Sequence, residues 1–221
     1  MRCFVGLLLA CVIASPVLAD EPAEASQWQS LFDGKSLEGW HANFDPEAFT
    51  IEDGAIRVQA LSDRAAHLFY VGDNDKEPVK FKNFELKLVS RAEPNANSGV
   101  FLHTSTKLRT KWRLLDQGYE VQLNNRPEQQ KTGSLYAVEP VEETGIDESE
   151  WFEMLIRVKD KQITVSLDGK QVLDYTEPED PKRSADRKGR VFSDEGGAIA
   201  LQAHDSNSVW YFKEIAIRPL D

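Results

Sequence analysis

Polar and apolar residues alternate through the middle of three stretches of this chain: Asn97–His103, Gly118–Leu123 and Gly197–His204. A period of two sends successive side chains to opposite faces of a strand, so Glu120 and Gln122 share a face, as do Gln202 and His204. One sheet face is therefore expected to carry a polar patch, and function is expected there. Phe84–Leu88, Phe152–Val158 and Ile163–Leu167 read as further strands. Asp168–Gly169 reads as a two-residue hairpin turn, with further turns at Asp33–Gly34 and Asp53–Gly54. No stretch keeps a helical period over three turns, and Glu177–Arg190, rich in charge and holding two prolines, reads as a long polar loop. The pattern predicts an all-β protein: a two-sheet antiparallel β-sandwich or jelly roll with under a tenth of its residues in α-helix. Such a sandwich can leave one face concave and partly wet, a fitting seat for a sugar.

The first 19 residues read as a signal peptide rather than as structure. Arg2 supplies the positive start, Val5–Ala14 is an apolar run too short to span a bilayer, and Val17–Leu18–Ala19 ends in the small residues a signal peptidase reads. Cleavage after Ala19 predicts an exported protein, periplasmic or extracellular. Residues 20–26 form a short polar lead-in, and 27–221 are expected to make one domain, with no internal repeat. Both cysteines, Cys3 and Cys11, fall in the leader, so the mature chain has no disulfide or thiolate ligand. A lipoprotein reading would acylate Cys11, but Leu9 is bulky where a small residue is usual. Losing Arg2 moves the formal charge from −11 to −12. That charge argues against nucleic acid, whose phosphates demand clustered cations. The one basic cluster, Lys107, Arg109, Lys111 and Arg113, is expected to be a solvated face. Nothing after Ala19 is apolar for long enough to cross a membrane.

Each polar candidate has a structural role available to it. Asn97–Ser98–Gly99 reads as turn chemistry, and Tyr136 as a core tyrosine. His204, followed by Asp205 and Asn207, sits at a strand end. Trp112 is a candidate for stacking on a sugar ring, whereas Trp28, Trp40, Trp151 and Trp210 are expected in the core. Glu120, His103, His204 and Asp205 are candidate ligands of a divalent ion, although no close ligand spacing such as His-Glu-x-x-His is present. Calcium in a sandwich loop is the alternative to a transition metal, and no cofactor is required outright.

Leu31–Trp40, the Asn97–Val100 segment, Gly118–Gln122, Thr132–Tyr136, Leu201–His204 and Phe212–Ile217 occur in an order that resembles the 3-keto-disaccharide hydrolase family, from Leu31 to Leu220. The resemblance implies a concanavalin A-like jelly roll acting on glycosides oxidised to a ketone at carbon 3, as a lyase, as a hydratase of the resulting 2-hydroxy-glucal, or as both. A ketone at carbon 3 acidifies the proton at carbon 2, so a base can remove it and the group on carbon 1 can leave by β-elimination. Water added across the double bond completes a net hydrolysis. Such a site needs a base, an acid and a donor for the enolate oxygen. Glu120 and His204 are the catalytic candidates, both titratable, Glu120 between Tyr119 and Val121 and His204 directly after Ala203 at the strand end. Asn97, Gln122, Tyr136 and Gln202 are candidates for orienting hydroxyls or donating to the oxyanion. His103 stands where many members carry arginine. A sugar 3-oxidoreductase is the implied upstream partner. A carbohydrate-binding module remains the second reading, and a glycosidase, which wants two carboxylates at set separation, the third.

Overall fold

The computed structural model describes residues 27–127 and 130–221. The expected leader and lead-in lie outside the described residues. Thirteen strands run through them. In chain order they are β1 (Gln29–Ser30), β2 (Trp40–Ala42), β3 (Phe49–Glu52), β4 (Ala55–Val58), β5 (Ala66–Tyr70), β6 (Phe84–Ala92), β7 (Asn97–Thr104), β8 (Tyr119–Asn124), β9 (Phe152–Lys159), β10 (Gln162–Leu167), β11 (Lys170–Thr176), β12 (Ala198–Ala203) and β13 (Trp210–Pro219). Helical structure among the described residues is confined to two 3-10 turns, Pro46–Ala48 and Ala185–Arg187.

Two antiparallel sheets face each other. One runs β11-β10-β9-β6-β13-β4-β3 with β1 on β13; the other runs β2-β5-β12-β7-β8. In β6 the residues Phe84, Leu86, Leu88, Ser90 and Ala92 are buried and their neighbours are not, the signature of a sheet with one wet face. Asp168–Gly169 closes the β10–β11 hairpin with both residues at positive φ, as the sequence predicts.

The five-stranded sheet differs. Every residue of β5, β7, β8 and β12 is buried, because Val100, Leu102, Val121, Leu123 and Leu201 pack into the core while loops cover the opposite face. Under that cover Phe69, Val71, Phe101, Leu115, Ala198 and Ala200 form a second small apolar cluster.

Two expectations are corrected. Asn97–Gly99 opens strand β7 instead of making a turn, its backbone paired with Gln122–Asn124. Trp40 and Trp210 are in the core, but Trp28 and Trp151 are 38% and 37% exposed. Each is flanked by cations of the outer sheet face, Lys87 and Arg218 at Trp28, Arg91 and Lys213 at Trp151, which cover ring faces while keeping their own charges wet.

Candidate functional site

The covered face of the five-stranded sheet holds the predicted polar patch. On β8 and β7, Glu120 lies opposite Phe101, Gln122 opposite Gly99 and Asn124 opposite Asn97. On the far side of β7, Ala200 pairs with Phe101 and Leu201 with Val100; continuing that register sets Gln202 beside Gly99 and His204 beside Asn97. The site is thus built in rows about 7 Å apart, two residues of strand per row. Gln122 Nε2 donates to Asn97 Oδ1 at 3.0 Å, tying two rows together.

Glu120 does not stand upright over its own row. A Cβ placed on Gly99 would meet Glu120 Oε1 at 2.9 Å, Cγ at 3.0 Å and Cδ at 3.3 Å, so the glutamate side chain occupies the space that any other residue at 99 would fill. Its carboxylate therefore lies across the row of Gln122 and Gln202, one row short of His204. Arg190 Nη2 donates to Glu120 Oε2 at 2.7 Å, and both side chains are almost fully buried. Burial raises the Glu120 pKa above the ordinary carboxylate range, and the charges of Arg190, His204, Arg109 and Arg187 oppose that rise.

His204, just past the end of β12, is anchored from behind. Its Nδ1 lies 2.8 Å from Asp205 Oδ2. Asp205 also accepts from Arg126 Nη2 at 2.9 Å and from the Ser208 hydroxyl at 3.0 Å. Burial would raise the Asp205 pKa, but the bonds from His204, Arg126 and Ser208 outweigh it and hold the group well below the usual range. An ionised Asp205 only accepts, so Nδ1 carries a proton and Nε2 is left as the reactive nitrogen.

Behind Gln202 lies His67, its partner across β5. The Gln202 amide nitrogen is 3.4 Å from His67 Nε2, and the ring packs edge-on against Phe101. Burial first, then the charges of Arg190 and His204, push His67 down to about 3, so it is neutral at physiological pH.

Three loops complete a cavity of ≈ 540 Å³ over this face. The 105–118 segment brings Arg109 and Leu114, and 177–197 brings Arg187. Gln130, Tyr136 and Ala137 come from the chain after β8. Thr132–Tyr136 is a strap alongside β8: Gln122 N donates to Ser134 O, Gly133 N to Gln122 O, and Tyr136 N to Glu120 O, at 2.8 to 2.9 Å. That pairing fixes where Tyr136 enters the wall. Arg190 is delivered by a close approach at Gly189, where a Cβ would strike Asp116 O at 2.1 Å and Gly189 O accepts from Gly118 N. The same loop is pinned by the Tyr119 hydroxyl on Glu177 and by Phe192 against the Tyr119 ring.

Of the residues singled out in the sequence, Asn97, Glu120, Gln122, Tyr136, Gln202 and His204 all line this one cavity. His103 does not. Period two would place it on the face of Asn97, Gly99 and Phe101, but β7 bulges between the pairs Phe101–Ala200 and Thr104–Ala198, and His103 takes a φ of 51°. The bulge turns its ring between Phe84 and Phe192, with Nε2 2.8 Å from Lys82 O, beside a separate cavity. Trp112 also lies away from the site, half exposed on the 105–118 segment with Lys111 over its ring. The basic cluster is not uniformly solvated: Arg109 turns into the cavity and Arg113 stacks on Phe44 while pairing with Asp45.

The four candidate metal ligands are not gathered either. His103 is elsewhere, Asp205 is engaged by His204, Arg126 and Ser208, and Glu120 faces a guanidinium. Among the described residues no group of three or more His, Cys, Asp or Glu side chains is arranged around a common point. His67, Arg187 and Arg190 escaped the sequence reading altogether. His67 is hidden in an unbroken apolar run, and the arginines reach the site through a loop whose path is set by tertiary contacts.

A family described as the 3-keto-alpha-glucoside-1,2-lyase-like domain matches residues 27–218. Over 87 residues, 36% of this chain, the sequence is 33% identical to a 3-keto-disaccharide hydrolase of Bacteroides thetaiotaomicron; the match spans 28% of that protein's length. The fold is similar to that of a candidate glycosyl hydrolase from Parabacteroides distasonis, with a TM-score of 0.70, 24% identity and coverage of 88% of this chain and 94% of that one. It is also similar to the carbohydrate-binding module CBM66 from Bacillus subtilis, with a TM-score of 0.55 and 11% identity over 82% and 96% of the two chains.

Proposed function

The chain belongs to the 3-keto-alpha-glucoside-1,2-lyase-like family, and from that premise we propose that it is an exported enzyme that cleaves 3-keto-glycosides by elimination across carbons 1 and 2 followed by hydration. The observation that carries this reading is a buried carboxylate, bent over Gly99 and held by Arg190, one strand row from a histidine that Asp205 fixes in place.

In the elimination, Glu120 takes the proton from carbon 2 of the 3-keto sugar. Its raised pKa makes it a better base than an exposed glutamate, and the Arg190 bond aims it. Electron density moves toward the carbon-3 oxygen, where the Gln122 and Gln202 amides are the available donors. His204, protonated at Nε2, gives its proton to the departing oxygen as the carbon 1–oxygen bond breaks, and the leaving group departs as an alcohol. In the hydration, neutral His204 takes a proton from water, the hydroxide adds to carbon 1, and Glu120, whose carboxyl proton exchanges with water after the leaving group has gone, protonates carbon 2. The sum is hydrolysis with both residues restored.

Glu120 is the one carboxylate among the described residues lining the cavity, which supports elimination over a glycosidase mechanism with its two carboxylates. The keto substrate requires an enzyme that oxidises the carbon-3 hydroxyl of the sugar. Export rests on the leader ending in Val17–Leu18–Ala19, and N-terminal sequencing of the mature protein that began elsewhere than Asp20 would contradict it. The activity is tested by mixing the mature protein with a 3-keto-glucoside bearing a chromogenic leaving group. Release is expected with wild type and not with Glu120→Gln; sugar binding without release by wild type would favour the binding-module reading.

A further inference from the structure

The end of the cavity away from His204 holds more positive charge than the protein neutralises. Arg109 and Arg187 line it, with side chains 10% and 15% exposed, and the charge of Arg190, 2% exposed and outside the cavity lining, acts on both. Arg190 is matched by Glu120. Arg109 and Arg187 share a single counterion, Asp186, which is itself 66% exposed and lies 4.0 Å from Arg109 Nη1. The Nε atoms of all three guanidiniums are buried and lack a hydrogen-bond partner among the described residues. A buried cation without its full set of acceptors is costly, and in a chain of net charge −11 no general excess of base explains two arginines at one wall with a third close by. Burial lowers the Arg109 pKa, and the like charges of Arg187 and Arg190 lower it further, a mutual repulsion that an incoming anion would relieve.

The register says which part of the substrate meets this wall. His204 stands beside Asn97, and the Glu120 carboxylate lies one row further on, so the scissile bond points toward His204. Arg109 follows the far end of β7, and Arg190 lies against Gly118 at the start of β8, donating to its carbonyl at 3.3 Å. The arginines thus face the side of the keto-sugar ring opposite the leaving group. Guanidinium forks match oxyanions in two-point geometry.

We propose that the preferred substrate carries an oxyanion on the keto-sugar itself, a carboxylate or sulfate at carbon 6, which Arg109 and Arg187 bind. The proposal rests on the elimination reading for the placement of the ring, and its test separates the two. Three 3-keto-glycosides with one common leaving group are compared: the glucoside, the glucuronide and the 6-sulfated glucoside. Wild type is expected to show kcat/KM about tenfold to a hundredfold higher for at least one charged substrate than for the neutral one, the difference a charge-assisted hydrogen-bond pair supplies. Which charged arm wins distinguishes carboxylate from sulfate. Arg109→Met should collapse the ratio toward one, Arg109→Lys should retain part of it, and added salt should reduce it in wild type. Titration calorimetry with glucuronate and with glucose, neither of them a keto sugar, reads the same preference without turnover. Equal kcat/KM for charged and neutral substrates, or a preference that survives Arg109→Met, would overturn the proposal while leaving the elimination intact. Wild type that turns over none of the three would remove the elimination reading; a glucuronate preference in the titration would then still support the anion site, and its absence would refute it.

Discussion

Gly99 is the most economical place to perturb the site. The residue lies in extended strand backbone, so alanine meets no conformational barrier, and without a neighbour in the way the change would stabilise the fold by roughly 0.4 to 1 kcal/mol through the unfolded chain. The added Cβ, however, would lie 2.9 Å from Glu120 Oε1 and 3.0 Å from its Cγ. Carbon contacts are comfortable at about 3.5 to 4.0 Å, so the glutamate must move by roughly half an ångström to one ångström. It cannot move freely, because Arg190 grips the carboxylate at 2.7 Å inside a buried wall. Overpacking of this kind costs about 1 to 3 kcal/mol, and a catalytic group displaced by about 1 Å loses on the order of a hundredfold in rate. The assay is release of a chromogenic leaving group from a 3-keto-glucoside, with thermal unfolding measured alongside. A Gly99→Ala protein with a modestly lowered Tm and kcat down by one to two orders of magnitude is expected. Wild-type turnover, or a raised Tm, would refute the placement of Glu120 over Gly99.

Glu120→Gln keeps shape but removes proton acceptance, so kcat should fall by about two to four orders of magnitude; it also leaves Arg190 without its anion, so Tm should drop, and an active or unshifted variant would contradict the pair. The acid limb of kcat/KM should lie above the range of an exposed glutamate, since burial raises the Glu120 pKa; a limb at or below that range would argue against it as the base. Asp205→Asn removes the anion that fixes His204, and it should slow poor leaving groups more than good ones, because an acid matters least when the departing oxygen is already stable; equal slowing of both would be inconsistent with this role. His67 is held at about 3 from 6.5 by burial and by the charges of Arg190 and His204. The unfolded chain protonates it first, so stability is complete above about pH 6.5 and is lost as pH falls toward 3, by on the order of 4 to 5 kcal/mol. Urea unfolding of His67→Gln between pH 4 and 7 should show a flatter acid limb than wild type, and identical limbs would refute the assignment.

The strands were legible because their turns and their period of two are local properties: Asp168–Gly169 closes its hairpin, and Glu120, Gln122, Gln202 and His204 share a cavity as their spacing requires. What spacing could not reveal is anything decided by contacts distant in sequence. His103 follows the alternation on paper and departs from it because β7 carries a bulge. His67 sits in Ala66–Tyr70, where burial on both faces erases the polar–apolar rhythm. Arg109 looked like part of a solvated cluster, and Arg187 and Arg190 like part of a polar loop. Tertiary contacts, among them Phe192 on Tyr119, Gly189 on Asp116 and the Tyr119 hydroxyl on Glu177, bring that loop over the sheet.

Removal of the carbon-2 proton by Glu120 is the centre of this account, and deuterium at carbon 2 reports it most directly. The reaction is run in D2O for a few turnovers, and the released 3-keto sugar is examined by nuclear magnetic resonance or mass spectrometry. Spontaneous exchange of the free sugar, measured under the same conditions, provides the baseline. Elimination followed by hydration predicts deuterium at carbon 2 well above that baseline with wild type, and none above it with Glu120→Gln. Leaving-group release by wild type with carbon 2 still carrying its original hydrogen, together with no slowing of release when carbon 2 of the substrate is deuterated beforehand, would show direct displacement at carbon 1 and contradict the mechanism.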